Sequence, residues 1–168
     1  CLMTFIYSFK PIEDEYAKIL ILGSIPGQAS LAAGQYYAHN RNAFWLIISN
    51  LLQFDPAAPY ETKIQALKSA QIALWDVLQA CKRTGSLDSA IETDTLMIND
   101  FRTFFQTHKK IKRVFFNGAK AEACFKRNIL RHTNLDSISF TRLPSTSPAN
   151  ATVSFAHKLA AWRLILDD

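Results

Sequence analysis

The residues of this chain whose types could do chemistry gather in two segments. The first opens with Gly23-Ser24-Ile25-Pro26-Gly27 and runs on through Tyr36, Tyr37, His39, Asn40 and Asn42. The second is Pro144 to Asn150, which holds Ser145, Thr146, Ser147 and Asn150. The glycine turn lacks the spacing of a phosphate loop and of a dinucleotide fingerprint. It also lacks the G-x-S-x-G elbow that would expose a nucleophilic serine. What it offers is a tight turn whose backbone can approach a ligand. Aromatic faces, amides and hydroxyls nearby can stack on a flat group and hydrogen-bond its edge. A serine-type α/β hydrolase using Ser24 or Ser30 with His39 is a competing reading, weakened because no acid is placed to orient the histidine. A small-molecule binder is another.

Read at full length, the run GSIPGQASLAAGQYYAHNRNAFW (23–45) and the later RLPSTSPAN (142–150) resemble the two motifs of the uracil-DNA glycosylase superfamily, and in particular its hypoxanthine-DNA branch. The resemblance implies a three-layer α/β/α sandwich around a four-stranded parallel sheet. It implies a monofunctional, monomeric enzyme on DNA containing a damaged base. Such an enzyme flips out a deaminated base, deoxyinosine ahead of uracil or xanthine, and hydrolyses its N-glycosidic bond without metal or cofactor. Extruding a base costs a few kcal/mol, which stacking and edge contacts in the pocket offset. Neither motif has a lysine nucleophile, so no strand-cleaving step is expected.

Carried over residue by residue, Tyr37 stands where the superfamily has the aromatic floor of the base pocket, whereas Tyr36 reads equally well as core. Many members hold the attacking water with Asn or Asp at the third position of the turn. Here that position is Ile25, which cannot hold it. In the hypoxanthine branch the resemblance passes the task to Asn42, with Asn40 in reserve. Asn42 also sits immediately before a helix, where asparagine is favoured as a cap, and both readings stand. Gln28, Ser24, Ser145 and Asn150 are expected at the base, and Ser147, Thr146 and Lys158 at the DNA. For the hydroxyls the alternative is turn formation, for Gln28 an exposed place with no contact to the base, and for Lys158 a solvated place on the polar side of the last helix. His39 is expected to orient its loop. The second segment lacks the histidine that other branches place there, which favours deoxyinosine over uracil. Ile25 keeps open a DNA-binding relative of weak activity.

These residues need a scaffold that brings the two segments together. Lys18 to Gly23, Ile72 to Leu78, Arg113 to Gly118 and Ile138 to Leu143 are short apolar runs that read as buried strands. Helical periodicity separates them, which is the alternation of a covered parallel sheet. Helices are expected from Ala43 through Leu52, over Glu61–Ser69, after a cap at Asn99 or Asp100, over Ala119–Leu130 and over Thr152–Leu166, the last with Phe155, Leu159, Trp162 and Leu166 on one stripe. Ser24–Arg41 is then a long strand-to-helix loop. In such sheets ligands bind beyond the carboxyl ends of the strands, so both segments should open on one edge.

The 168 residues fit one domain, 1–168, with 49% hydrophobic and 20% charged residues. No stretch approaches the apolar length of a membrane span. The apolar run Cys1–Phe9 lacks a basic leader and a cleavage site, so a cytoplasmic protein is expected. The three cysteines show no metal-ligand spacing. The +5 charge suits a polyanionic partner without proving one.

Overall fold

The computed structural model describes residues 4–131 and 133–167; Cys1 lies outside them. The elements are β1 (Thr4–Tyr7), β2 (Ile19–Gly23), α1 (Gln28–Ala33), α2 (Phe44–Leu52), α3 (Tyr60–Ser69), β3 (Ile72–Asp76), β4 (Leu78–Arg83), β5 (Met97–Ile98), α4 (Phe101–Thr107), β6 (Arg113–Asn117), α5 (Ala119–Phe125), β7 (Ser139–Leu143) and α6 (Phe155–Trp162). Strands β3, β2, β6 and β7 form, in that order, the parallel four-stranded sheet expected from the apolar runs.

The sheet is covered on both faces, and the pleat decides which side chain goes where. Ile21, Leu74 and Phe115 point into a core with Phe44, Ile47, Ile48, Leu67 and Trp162 of α2, α3 and α6. Leu20, Leu22, Val114 and Phe116 point the other way, toward Phe101 and Phe104 of α4 and Phe125 of α5. Each such side chain, fully buried, contributes about 1.5–3 kcal/mol. The three layers of the sandwich are these two helical faces and the sheet between them.

A second sheet, absent from the sequence expectation, has the order β1-β4-β5 and is antiparallel. The run read as one strand to Leu78 breaks at Val77, whose amide turns to the Gly23 carbonyl at 2.8 Å. From Leu78 the chain enters this smaller sheet, so the strand ends at Asp76. Other boundaries also moved. A short helix, α1, lies inside the long first loop and is closed by Gly34 in the left-handed conformation. The helix expected to Leu130 is α-helical only to Phe125 and then widens into a π turn over Lys126–Leu130. The last helix begins at Phe155, where the Ser154 hydroxyl accepts from the His157 amide, rather than at Thr152. Of its expected stripe Trp162 is buried and Leu159 half-buried, while Phe155 is 39% and Leu166 46% exposed, and Ile165, outside the stripe, is buried in place of Leu166. The Asp100 cap is present, its carboxylate accepting from the Thr103 amide. No helix among the described residues is long and apolar enough to cross a membrane.

Candidate active site

Gly23, Asp76, Asn117 and Leu143 end the four parallel strands, and both motif segments leave from this edge. The segments meet directly: the Ala43 amide donates to the Thr146 carbonyl at 3.0 Å. Thr146 is also locked from the other side. Its amide donates to Asn117 Oδ1 at 2.9 Å, and its hydroxyl accepts from Asn117 Nδ2 at 3.0 Å. At 1% exposure Thr146 is a strut inside the protein, not the DNA-facing hydroxyl that the sequence suggested. Gly118, at φ 96°, follows Asn117, and a Cβ there would come within 3.0 Å of Ser145 Cβ. Glycine therefore lets the second segment lie flat on the end of β6.

The first segment splits its two tyrosines. Tyr36 is core, 4% exposed, with its hydroxyl donating to the Lys10 carbonyl at 2.9 Å. Burial, with the Asp76 carboxylate adding to it, pushes that hydroxyl far above its ordinary pKa. Tyr37 is half-buried and adopts φ 55°, a conformation worth about 1–3 kcal/mol of strain in a non-glycine residue. Its ring lies over Phe44 with centroids 4.2 Å apart and 31° between planes. Its hydroxyl reaches Gly23: a Cβ on Gly23 would lie 2.6 Å from both Tyr37 Oη and Asp76 Oδ1. Tyr37 is thus held by its edge and one face at the mouth of β2.

Asn42 Oδ1 accepts from the Phe44 amide at 3.0 Å, so it caps the first helical amide from one position ahead of the N-cap residue, which is Ala43 because α2 starts one residue later than expected. A carbonyl oxygen has a second lone pair, and the amide nitrogen two further protons, so the cap leaves the group able to hold a water. Asn40 is exposed. His39 Nδ1 accepts from the Arg41 amide at 3.1 Å, which orients the loop as anticipated. Ile25 is 8% exposed and belongs to the core under α4 and α5. The usual water-holding position has become packing.

The remaining expected residues divide between surface and frame. Ser24 is 9% exposed. Gln28 is exposed at the start of α1, and its amide donates to Ser86 Oγ at 2.8 Å. Ser145 and Ser147 are half-buried and brace their own turn: Ser145 Oγ accepts from the Ser147 amide at 3.2 Å, and Ser147 Oγ from the Ala149 amide at 3.1 Å. Asn150 Nδ2 donates to the Ser145 carbonyl at 3.1 Å. Lys158 is the largest departure. Far from being solvated, it is 6% exposed, and its burial lowers its pKa.

Three residues that sequence reasoning passed over frame the site. Asp76 is 3% exposed and accepts from Ser8 Oγ at 2.9 Å. An acid closing an otherwise apolar strand was a signal available in IALWD. Asn117, in FFN, carried a similar one. Arg83 is 2% exposed, and its Nη2 donates to the Pro26 carbonyl at 2.6 Å while Nε donates to Gly85 at 2.8 Å. Nothing in the sequence placed it behind the first turn. A cleft of about 650 Å³ opens alongside, between α2, α3 and α6, and includes Tyr37, His39, Asn42 and Lys158.

The comparisons with known proteins agree with this geometry. A relative from Methanosarcina barkeri strain Fusaro, named hypoxanthine DNA glycosylase, is 40% identical over 114 residues, covering 67% of this chain and 71% of its own. A second of the same name, from Methanosarcina acetivorans, is 36% identical over 158 residues, covering 94% and 95%. The solution NMR structure of a candidate uracil DNA glycosylase from M. acetivorans superposes with a TM-score of 0.79 at 33% identity, covering 98% of this chain and 100% of that one. The family described as the uracil DNA glycosylase superfamily matches residues 10–166, nearly the whole length on which both motif segments are mounted, and the chain belongs to that superfamily.

Proposed function

We propose that this chain is a DNA glycosylase that hydrolyses the N-glycosidic bond of deoxyinosine, releasing hypoxanthine and leaving an abasic site. The observation that carries the reading is the convergence of the two motif segments at one sheet edge, joined through Ala43 and Thr146 with Tyr37 stacked on Phe44 in the first of them, in a chain 36% identical over 94% of its length to a hypoxanthine DNA glycosylase.

In this reading the flipped base lies on Tyr37, beside the turn at Gly23 and Ser24, with Ser145 and Asn150 at its edge. Asn42 holds the water that adds its oxygen to C1′ as the C1′–N9 bond breaks. The bonding pair leaves with the base, which takes up a proton on departure. Donors fixed where that negative charge develops need no reorganisation, which is why one of them is typically worth about 10²- to 10³-fold in rate. Ser147 lies on the DNA side of the second turn. Gln28, exposed on α1, serves the DNA side better than the base. The protein acts as a monomer.

The test is to incubate the protein with duplexes carrying one deoxyinosine, uracil or thymine mismatch and to score alkali-labile sites. Cleavage at deoxyinosine above the others is expected. Cleavage at none of them sinks the enzymatic reading and leaves the DNA-binding relative, which Ile25 favours.

A further inference from the structure

The cleft between α2, α3 and α6 is lined by four basic residues, His39, Arg41, Lys63 and Lys158, and by no acidic one. Among the described residues the ion pairs all lie elsewhere, so neither Lys63 nor Lys158 has a carboxylate partner. Lys63 rests its ammonium 5.7 Å from the centre of the Trp45 ring. Lys158 is the unusual one, since it is more than nine-tenths buried. Its stem is packed against the protein while its ammonium keeps an opening to the cleft, as long cationic side chains do, and with no carboxylate beside it that charge is available to an anion. Two large apolar side chains, Leu46 on α2 and Phe155 at the start of α6, line the same cleft and are 48% and 39% exposed. A cationic floor with an apolar rim is how proteins hold a single strand, with the backbone on the charge and a base on the ring. Tyr37 and Asn42 line the cleft as well, so a strand delivering its nucleotide to them must pass this rim.

We propose that the cleft is a subsite for a nucleotide flanking the excised one, with its phosphate on Lys158 and Lys63 and its base or sugar against Phe155 and Leu46. The inference rests on the DNA-directed reading above and adds to it a second nucleotide position, on the outer side of the first loop. It also changes the meaning of Lys158, from a solvated residue of the last helix to a packed side chain that presents its charge to the cleft.

Binding to a duplex that carries a tetrahydrofuran abasic analogue tests this without excision. Anisotropy titrations over a salt series compare the wild type with Lys158→Met and Phe155→Ser, each melted in parallel. Lys158→Met should reduce the salt slope by about 0.9, the share of one phosphate, while raising the melting temperature because a buried unpaired charge is gone. Phe155→Ser should weaken binding on the order of 10-fold with the slope unchanged. Wild-type affinity and slope in Lys158→Met overturn the proposal. So does stabilisation of the wild type by inorganic phosphate that is lost in Lys158→Met while DNA binding is unaltered, since the cleft would then serve a free anion. If Lys158→Met does not fold, Lys158→Gln takes its place with the same criteria. Excision of deoxyinosine by the wild type is scored separately. Lys158-dependent DNA binding without excision would sink the enzymatic reading and spare the subsite.

Discussion

Arg83, at the end of a strand in the smaller sheet, donates through Nη2 to the carbonyl of Pro26 in the first-motif turn across 2.6 Å. The same loop supplies Ser86 Oγ to the Gln28 amide at 2.8 Å. The antiparallel sheet therefore acts as a backstop that holds the first-motif turn in place. Arg83→Met should leave a buried acceptor unsatisfied, at about 1–3 kcal/mol, and should lower the single-turnover excision rate by up to about 10²-fold. Affinity for undamaged duplex should change little. Arg83→Lys, which keeps one donor, should recover part of the rate. A rate equal to wild type in a folded Arg83→Met protein would reduce the residue to a stability element.

The cap and the water-holding role of Asn42 can be separated by choice of replacement. Serine caps helices as well as asparagine does, so Asn42→Ser should melt near the wild-type temperature while losing about 10²- to 10³-fold in single-turnover excision. Asn42→Ala should lose the same rate and, in addition, about 1 kcal/mol of stability. Excision by Asn42→Ser at the wild-type rate would make Asn42 a cap alone and move the search to Asn40.

At Gly23 a Cβ would lie 2.6 Å from both Tyr37 Oη and Asp76 Oδ1. Gly23→Ala should therefore cost about 1–3 kcal/mol, as overpacking does, and should push Tyr37 off its place over Phe44. Adding Tyr37→Phe removes one of the two clashing atoms and should restore part of the stability, read as a non-additive double mutant in denaturant melts. Full additivity would show that the two positions do not press on each other.

Lys158 makes a pH prediction. Burial lowers its pKa below the ordinary 10.5, so between the lowered value and 10.5 the unfolded chain binds more protons than the folded one. Stability contributed by this site therefore rises with pH across that window and is lost as pH falls through the folded pKa. Subtracting the melting curve of Lys158→Met from that of the wild type isolates it. The difference should shrink as pH climbs toward 10.5, and a difference independent of pH would mean that the ammonium is well solvated.

What the sequence disclosed follows from what writes a pattern into it. Strands β2, β3 and β6 are buried along most of their length, so each left an apolar run, whereas β7, at the sheet edge and exposed at Ser139 and Arg142, is less buried than its run suggested. The carboxyl ends of the four mark the edge where the two motif segments meet. The smaller sheet left no such trace: β1 is four residues long, β5 two, and Leu78–Arg83 mixes core with solvent positions. Reading Ile72 to Leu78 as one run concealed the corner at Val77. The roles of Thr146, Arg83 and Lys158 depend on which elements pack over them. A hydroxyl or a basic side chain looks the same in sequence whether it faces water, a carbonyl or an empty cleft. Asn42 is the intermediate case, because its place before the helix was legible and its second function is not a matter of position.

Thr146 ties together three parts of the chain: the Asn117 side chain, the Ala43 amide and its own turn. In mechanical terms the two motif loops are one body. For either loop to open alone it must first give up the Ala43–Thr146 hydrogen bond, worth about 0.5–1.5 kcal/mol, so a motion that carries both loops together comes more readily than one that parts them.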